Sequence, residues 1–410
     1  MMKYTNLKYN LYPIRRFKSL LGLVLALIFS ISFSSCEKYF GNKTDLDFIE
    51  KPVFQARDVA YVPIQPILDG FVYPTDVLAG FDELIYIVDN GTEEIIALDQ
   101  ALTEQGRFSV PGVKKIAQDR SLELLAIGTT DTVDGLGQPY TLQCIYRINM
   151  QSGSSYGIKN AKIINKIIHP FYFRNTISSN DPTVEFNDIA ILATNEYYVT
   201  RNGNSSNIVG PDQAVLLFSP QDVWITPVSI TSGGATYNDF FKRPFAISSR
   251  VQPPQISVVN DRTFLVTSID ENAVLKINGI QVQEDENGIV YVPQESIVGD
   301  YTQADDFLQR PFRFKKPEGL TITGDGTNFI FIVDAETDSL HQFTSNGLEG
   351  IKPPPGSAET KYIKASFGGT GSAANQFNEP KAVAYLNKIV YVADAGNGRV
   401  LRFKLTLDFD

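Results

Sequence analysis

Cysteine and histidine are scarce in this sequence of 410 residues, which contains two of each. Because Cys36 ends an N-terminal hydrophobic segment, Cys144 is the single thiol left for a folded domain, and an internal disulfide is excluded. Cys144 lies in a strand-like run, LQCIYRI, in which a buried and inert thiol is expected. His169 and His341 are too few for a histidine-rich metal site or for a Ser-His-Asp arrangement.

Positive charge is low, with 36 basic against 46 acidic residues and a net charge of −10. The first 35 residues contain no acidic residue and five basic ones, namely Lys3, Lys8, Arg15, Arg16 and Lys18. The remainder therefore carries a net charge of −15. Nucleic acids and anionic membrane surfaces need a cationic face, so the composition disfavours both as partners.

Familiar catalytic and binding motifs are also missing. The glycine-rich run Gly368–Gly371 lacks the lysine and the helix of a phosphate-binding loop. The acidic turns at 284–288 and 324–326 do not have the ligand spacing of a calcium loop. A single tryptophan, Trp224, makes a sugar-stacking groove less persuasive. These absences favour a protein that is not an enzyme.

The N-terminus has the pattern of an export signal. A basic segment is followed by an apolar run, Leu20–Phe29, and then by Ser34, Ser35 and Cys36. The run is too short for a comfortable transmembrane helix. The ending of two small residues and a cysteine resembles a bacterial lipobox. A plain signal peptide with an incidental cysteine is the alternative.

The lipobox resemblance implies a mature chain that begins with a lipidated cysteine. It implies cleavage of a signal peptide, 1–35, and acylation (including palmitate) of Cys36. Residues 36–52 would then be a lipidated, polar tether, and 53–410 the folded domain. The expected partner is the lipid bilayer, reached through the lipid. The expected location is the outer membrane of a Gram-negative envelope, facing the periplasm or the cell surface.

Short β-rich runs, separated by Gly, Pro, Asn and Asp, fill the rest of the chain. One frame recurs: a proline or aromatic residue, an apolar strand, a second strand that ends in a polar turn, and a third strand. It begins at residues 74, 111, 186, 244, 317 and 380. The uneven gaps predict insertions at 165–183 and 231–243, and a hairpin at Asn287–Gly288. In the fourth repeat the third strand is predicted at Ala273–Ile277.

The last repeat, Phe367–Phe403, closely resembles the NHL repeat, the unit of a family of β-propellers. The resemblance implies an all-β, six-bladed propeller, with seven blades as the alternative. The last blade lacks its outer strand. We expect the segment 53–68 to pair beside Val400–Leu405, because this would close the ring and remove the open strand edges.

In a propeller, the loops before each first strand share one face with the loops between the second and third strands, and that face surrounds the central channel. The candidate channel-face residues are Thr75, Asp76, Lys114, Asn187, Asp188, Arg201, Phe245, Glu318 and Lys381. Resemblance to six-bladed lactonases implies a calcium cage, for which Asp76, Asn187, Asp188 and Glu318 have suitable oxygens. Lys114 and Lys381 oppose a cation there. Asp89, Asp334 and Asp394 end second strands and are interpreted as turn-holding residues.

Two aromatic clusters with arginine are candidate partner contacts, since such residues are enriched at the centres of interfaces. They are Phe171, Tyr172, Phe173 and Arg174, and Tyr237, Phe240, Phe241 and Arg243. Coverage of blade edges by these aromatic side chains is the alternative.

The sequence thus favours a lipid-anchored binding or scaffold subunit with an envelope protein partner. Its resemblance to envelope lipoproteins implies that this subunit is an accessory to an outer-membrane complex or transporter. The alternative is a calcium-dependent hydrolase or lactonase; no other cofactor is expected.

Overall fold

Short antiparallel strands make up nearly all the regular structure of the described residues. The computed structural model describes residues 59–169, 177, 180–203, 212–254, 261–285, 288–294 and 300–409, all within one compact unit that spans 56–410. In these ranges, four single-turn 3₁₀ helices accompany the strands, at Ile158–Asn160, Asp181–Thr183, Ala395–Asn397 and Thr406–Asp408. Within these ranges, no helix has the length and hydrophobicity that a membrane span requires. The predicted signal, Cys36 and tether lie outside the described residues.

The strands form six consecutive sheets, blades 1 to 6, preceded by β1 (Tyr61–Pro63) and β2 (Leu68–Asp69). Blade 1 contains β3 (Pro74–Ala79), β4 (Ile85–Asp89), β5 (Glu94–Leu98) and β6 (Glu104–Ser109). Blade 2 contains β7 (Lys115–Gln118), β8 (Leu124–Val133), β9 (Pro139–Asn149) and β12 (Lys162–Ile168). A hairpin of β10 (Gln151–Ser152) and β11 (Ser155–Tyr156) precedes β12. Blade 3 contains β13 (Glu185–Ile191), β14 (Tyr197–Asn202), β15 (Ala214–Phe218) and β16 (Trp224–Pro227).

The second half of the ring repeats this arrangement. Blade 4 contains β19 (Pro244–Ser249), β20 (Phe264–Ser268), β21 (Ile277–Asp285) and β22 (Gly288–Pro293), and is extended by β17 (Ile230–Ser232) and β18 (Ala235–Tyr237). Blade 5 contains β23 (Pro317–Ile322), β24 (Ile330–Asp334), β25 (Ser339–Phe343) and β26 (Phe367–Gly368). Blade 6 contains β27 (Pro380–Leu386), β28 (Ile389–Asp394) and β29 (Arg399–Leu405).

Six hydrophobic clusters fill the spaces between neighbouring blades. Each cluster draws buried residues from two consecutive blades, and one of them joins Val77 of blade 1 to Ala382 of blade 6. The first strands of the blades contact each other around the full circle, in the order β3, β7, β13, β19, β23, β27 and back to β3. The chain is therefore a six-bladed β-propeller, as predicted, and the seven-bladed alternative is wrong.

The ring closes through the N-terminal strands. β1 pairs antiparallel with β29, with Tyr61 opposite Leu405 and Pro63 opposite Phe403, and β2 pairs with the beginning of the same strand. Two further backbone bonds, from Ile64 N to Arg402 O at 2.9 Å and from Thr406 N to Ala60 O at 2.9 Å, extend the contact. The predicted closure is confirmed for the described part of 53–68.

Blade 4 departs from the predicted strands. Its third strand is β21, which begins at Ile277 rather than spanning 273–277. The reason lies in burial: Val274 and Leu275 are 46% and 40% exposed, whereas Ile277 is 1% exposed. A hairpin in this region is confirmed by the pairing of Asp285 with Gly288, although Asn287 itself lies outside the described residues. This hairpin joins the third and fourth strands and is not an insertion. The predicted insertion 231–243 contributes β18 and most of β17.

Candidate functional site

A cavity of about 300 Å³ opens at the mouth of the central channel, on the predicted face. We call it the channel-mouth cavity. It is lined by residues from all six blades: Tyr73, Thr75, Asn90, Lys114, Lys115, Glu185, Asn187, Phe245, Glu318 and Lys381. A narrower cavity of about 70 Å³ lies among the first strands and is lined in part by Asp76, Asp188 and Ile247.

β-Bulges direct half of these side chains to the mouth. In five blades, the pairing of the first strand with the second shifts by one residue near its start. The shifts lie between Pro74 and Asp76, Phe186 and Ile189, Pro244 and Ile247, Pro317 and Gly319, and Pro380 and Ala382. Each bulge contains one cavity residue, namely Thr75, Asn187, Phe245, Glu318 or Lys381. A bulge re-aims side chains in this way beside binding sites.

Gly319 allows two of these bulges to come close together. A side chain at this position would meet Val333 Cγ2 at 2.6 Å and Ala382 Cα at 2.7 Å. The first strands of blades 5 and 6 therefore approach closely, and the Lys381 ammonium contacts Glu318 Oε2 at 2.6 Å. Glycine at 319 thus helps to bring the acidic group of one blade to the basic group of the next.

Two of the three cavity lysines are neutralised by carboxylates. Lys115, which is 6% exposed, lies 3.2 Å from Asp76 Oδ1. Lys381 contacts both Glu318 and Glu379, the second at 2.7 Å. Although burial opposes the shift, these two acids raise the pKa of Lys381. The ammonium group of Lys381 is therefore held in the charged form.

Lys114 is different. No described residue accepts a hydrogen bond from its ammonium group or lies within salt-bridge distance of it. Burial lowers the pKa of this ammonium to about 8; Glu185 opposes the shift and Lys115 adds to it. The backbone of Lys114 is well fixed, since its carbonyl accepts a bond from Thr75 Oγ1 at 2.9 Å and its N–H donates to Ile127 O at 3.0 Å.

Deeper in the channel, two carboxylates link neighbouring first strands. Asp76 Oδ2 accepts a bond from Ile116 N at 2.8 Å, and Asp188 Oδ2 accepts one from Ile247 N at 2.9 Å. Burial raises the pKa of Asp188 to about 7, with Lys115 opposing the shift and Asp76 adding to it. These contacts fix the spacing of the blades around the channel.

Six of the nine predicted channel-face residues line the cavity: Thr75, Lys114, Asn187, Phe245, Glu318 and Lys381. Asp76 and Asp188 lie in the narrower part below. Arg201 lies elsewhere: it is buried on β14, opposite Phe186 and Ala214, and does not line the cavity. Its position in the second strand, rather than in the loop after it, accounts for the difference.

Sequence reasoning missed four lining residues: Tyr73, Asn90, Lys115 and Glu185. Tyr73 and Glu185 precede the predicted Thr75 and Asn187 by two residues. Because alternate residues of an extended chain share a face, this spacing was a usable signal. Lys115 had no such signal, since it directly follows Lys114 and only the contact with Asp76 distinguishes the two.

The four residues with suitable oxygens for calcium do not form a cage. Asp76 and Asp188 accept backbone N–H groups, and Glu318 contacts the ammonium groups of Lys316 and Lys381, each at 2.6 Å. Among the described residues, no group of three or more acidic, histidine or cysteine side chains is placed to hold a metal ion. The lysines at the mouth add positive charge where a cation would bind.

The second aromatic cluster divides between core and surface. Phe241 is 2% exposed and belongs to the core between blades 3 and 4, and Phe240 packs against that core. Phe241 therefore fills a local core, which is the alternative interpretation given for this cluster. Tyr237 and Arg243 are exposed. The first cluster, Phe171, Tyr172, Phe173 and Arg174, lies outside the described residues.

Comparison with known proteins finds no matching family model and no matching curated protein. Among solved structures, the chain is similar to a PQQ-bound aldose sugar dehydrogenase from Streptomyces coelicolor (11% identity, 85% of this chain and 99% of that chain, TM-score 0.48). It is also similar to an auxiliary nutrient binding protein from Bacteroides thetaiotaomicron (13% identity, covering 82% of this chain and 70% of that chain, TM-score 0.47). A third similar structure is that of a gluconolactonase from Xanthomonas campestris (9% identity, covering 86% of this chain and 99% of that chain, TM-score 0.43). At such low sequence identities and TM-scores, these similarities do not establish the fold. The assignment of the propeller fold rests on the strand topology described above.

Proposed function

We propose that this protein is a lipid-anchored binding subunit of the cell envelope, with the channel-mouth cavity as its ligand site. The observation that carries the proposal is the cavity itself, since it is a concave site that is lined mostly by polar and charged residues and to which every blade contributes a side chain. The export pattern of 1–35 and the small-small-cysteine ending at Cys36 support the anchor and the envelope location.

The chemistry of the cavity favours binding over catalysis. Hydrolysis needs an activated nucleophile or a bound metal ion, and the lining residues include no serine, cysteine or histidine. The hydroxyl of Thr75 donates to a backbone carbonyl, and the carboxylate of Glu318 is held between two lysines. These groups are committed to structure, so the cavity is better suited to holding a ligand than to attacking one.

Lipidation of Cys36 is the first test. Cells expressing the full chain are labelled with a palmitate analogue and fractionated. We expect label and membrane association in the native chain, and loss of both in Cys36→Ala. Cys144→Ala, which removes the buried thiol of blade 2, is the matched control and should keep both. Labelling that persists in Cys36→Ala would contradict the proposal.

The role as a subunit is tested by purification from detergent-solubilised membranes. We expect one membrane protein to be recovered in stoichiometric amount with the native chain, and to be lost with Cys36→Ala. Recovery of the chain alone, as a monomer, would contradict a role as a scaffold or accessory subunit.

A further inference from the structure

We propose that the channel-mouth cavity binds a small hydroxylated organic anion, whose carboxylate or phosphate group pairs with Lys114. This inference rests on the proposed function, because it names the ligand class of the same site. Three features of the site support it: the ammonium group without a direct partner, the neutral groups around it, and the volume of the cavity.

The cavity ammonium group that lacks a direct carboxylate partner in the described part of the chain is that of Lys114, although Glu185 also lines the cavity. Lys115 and Lys381 are paired with carboxylates at 3.2 Å or less, whereas Lys114 has no such partner among the described residues. The charged groups that line the cavity around it are Lys115, Lys381, Glu185 and Glu318. Lys114 is partly buried at the cavity wall, and partial burial without a partner disfavours the charged ammonium, in line with its lowered pKa. An oxyanion in the cavity would provide the missing partner.

Neutral groups suited to hydroxyls and a carbon skeleton surround this charge. Asn187, which is 2% exposed, donates its side-chain N–H to Pro244 O at 3.1 Å, and Asn90 donates to Val113 O at 2.7 Å. In each case no described residue donates to the amide oxygen, which is therefore available to accept from a ligand hydroxyl. Tyr73 and Phe245 add aromatic surface to the lining.

The size of the site and the charge of the whole protein favour a small ligand. A volume of about 300 Å³ lies at the lower end of the range for small-molecule pockets, so the cavity has room for one small molecule. The chain outside the cavity is strongly acidic, which repels large polyanions. A small anion can enter the mouth and reach Lys114 without facing most of that surface charge.

The test is calorimetric titration of the purified full chain in detergent with D-glucuronate, D-glucose 6-phosphate and D-glucose. We expect at least one of the two anions to bind about tenfold more tightly than glucose, the range of a charge-assisted contact. Comparison of the two anions identifies the preferred oxyanion. Titration with acetate and inorganic phosphate shows how much the anionic group contributes alone.

Variants assign the preference to one side chain. Lys114→Gln should abolish the preference for the anion, and Lys114→Arg should restore most of it. Lys352→Gln changes an exposed lysine without a partner among the described residues and should have no effect. Circular dichroism and thermal unfolding of each variant check that it is folded.

Three results would overturn the inference: equal binding of glucose and the anions, an unchanged preference in Lys114→Gln, or binding of no member of the panel. Equal binding of glucose would leave the proposed binding function in place. Failure of the lipidation or membrane-partner experiments would remove the proposed subunit role without affecting an anion preference measured in detergent. The two proposals can therefore fail separately.

Discussion

At the scale of single residues, the aspartates that end second strands hold two loops at once. Asp334, which is fully buried, accepts backbone N–H bonds from Glu336 and Thr337 in the turn that follows it, at 3.1 and 3.2 Å. It also accepts bonds from Lys315 N at 2.6 Å and Lys316 N at 3.0 Å, in the loop before β23. Asp89 makes the corresponding backbone contacts in blade 1. Asp394 of blade 6 accepts a bond from Asn378 N in the loop before β27 and from the side chains of Asn397 and Arg399 after its own strand. Their interpretation as turn-holding residues is confirmed.

Substitution of Asp334 by alanine should strongly destabilise the fold. Four backbone N–H groups would lose their acceptor, and each buried donor left unpaired is costly, so we expect a loss of about 3 kcal/mol or more. Chemical denaturation measures the change. Asp239→Ala removes a side chain that is 80% exposed and should change the free energy of unfolding very little. Equal effects of the two substitutions would contradict this role.

Asp188 predicts a pH dependence of stability. Its pKa is about 7 in the folded protein, above its ordinary value of 3.8, so between these values the folded state binds more protons than the unfolded state. Its contribution to stability therefore falls as the pH rises from about 4 to about 7 and is constant above that.

Asp188→Asn removes this titration while keeping a similar shape. The free energy of unfolding of the variant, relative to the native chain, should rise by on the order of 1–3 kcal/mol between pH 4 and pH 8. Denaturation at several pH values measures the difference. Asp239→Asn is the control and should give a difference that does not vary with pH. A flat difference for Asp188→Asn would mean that this carboxyl titrates normally.

At the scale of elements, the N-terminal strands hold the ring closed. Tyr61 of β1 is 8% exposed and packs edge-on against Phe331 of blade 5, with ring centroids 5.7 Å apart. The strand thus stabilises two blades, through its pairing with β29 and through this ring contact. Without it, β29 would be an open edge.

Tyr61→Ala should destabilise the protein by about 3 kcal/mol, because it removes a large buried aromatic side chain. Hydrogen exchange localises the effect: the amides of Ile64 and Thr406, which bond across the closure, should lose protection first. Tyr301→Ala, at a site that is 59% exposed, is the control. Unchanged protection of both amides in Tyr61→Ala would contradict the closure role.

The architecture of the elements is largely readable from the sequence, because a repeated frame of a proline or aromatic residue, an apolar strand and a polar turn marks the blades. The exact bounds of the strands in blade 4 cannot be read from the sequence, since Val274 and Leu275 are apolar but exposed. The composition of the cavity is predicted only in part. A bulge adds one residue without a sequence signature, and adjacent lysines such as Lys114 and Lys115 differ only in the partners that the fold gives them.

At the scale of the whole molecule, charge and shape act together. A strongly acidic protein carries, at the mouth of its channel, three lysines of which one has no carboxylate partner among the described residues. The proposed lipid at Cys36 would keep this mouth in the envelope. Selective binding of a small anion is the activity that this distribution of charge supports best.

The most direct test of this account is protection of Lys114 from an amine-reactive label, read by mass spectrometry on the full chain in detergent. We predict that D-glucuronate or D-glucose 6-phosphate slows labelling of Lys114, that D-glucose does not, and that labelling of Lys352 is the same in every case. Labelling of Lys114 that is unaffected by either anion would contradict the account.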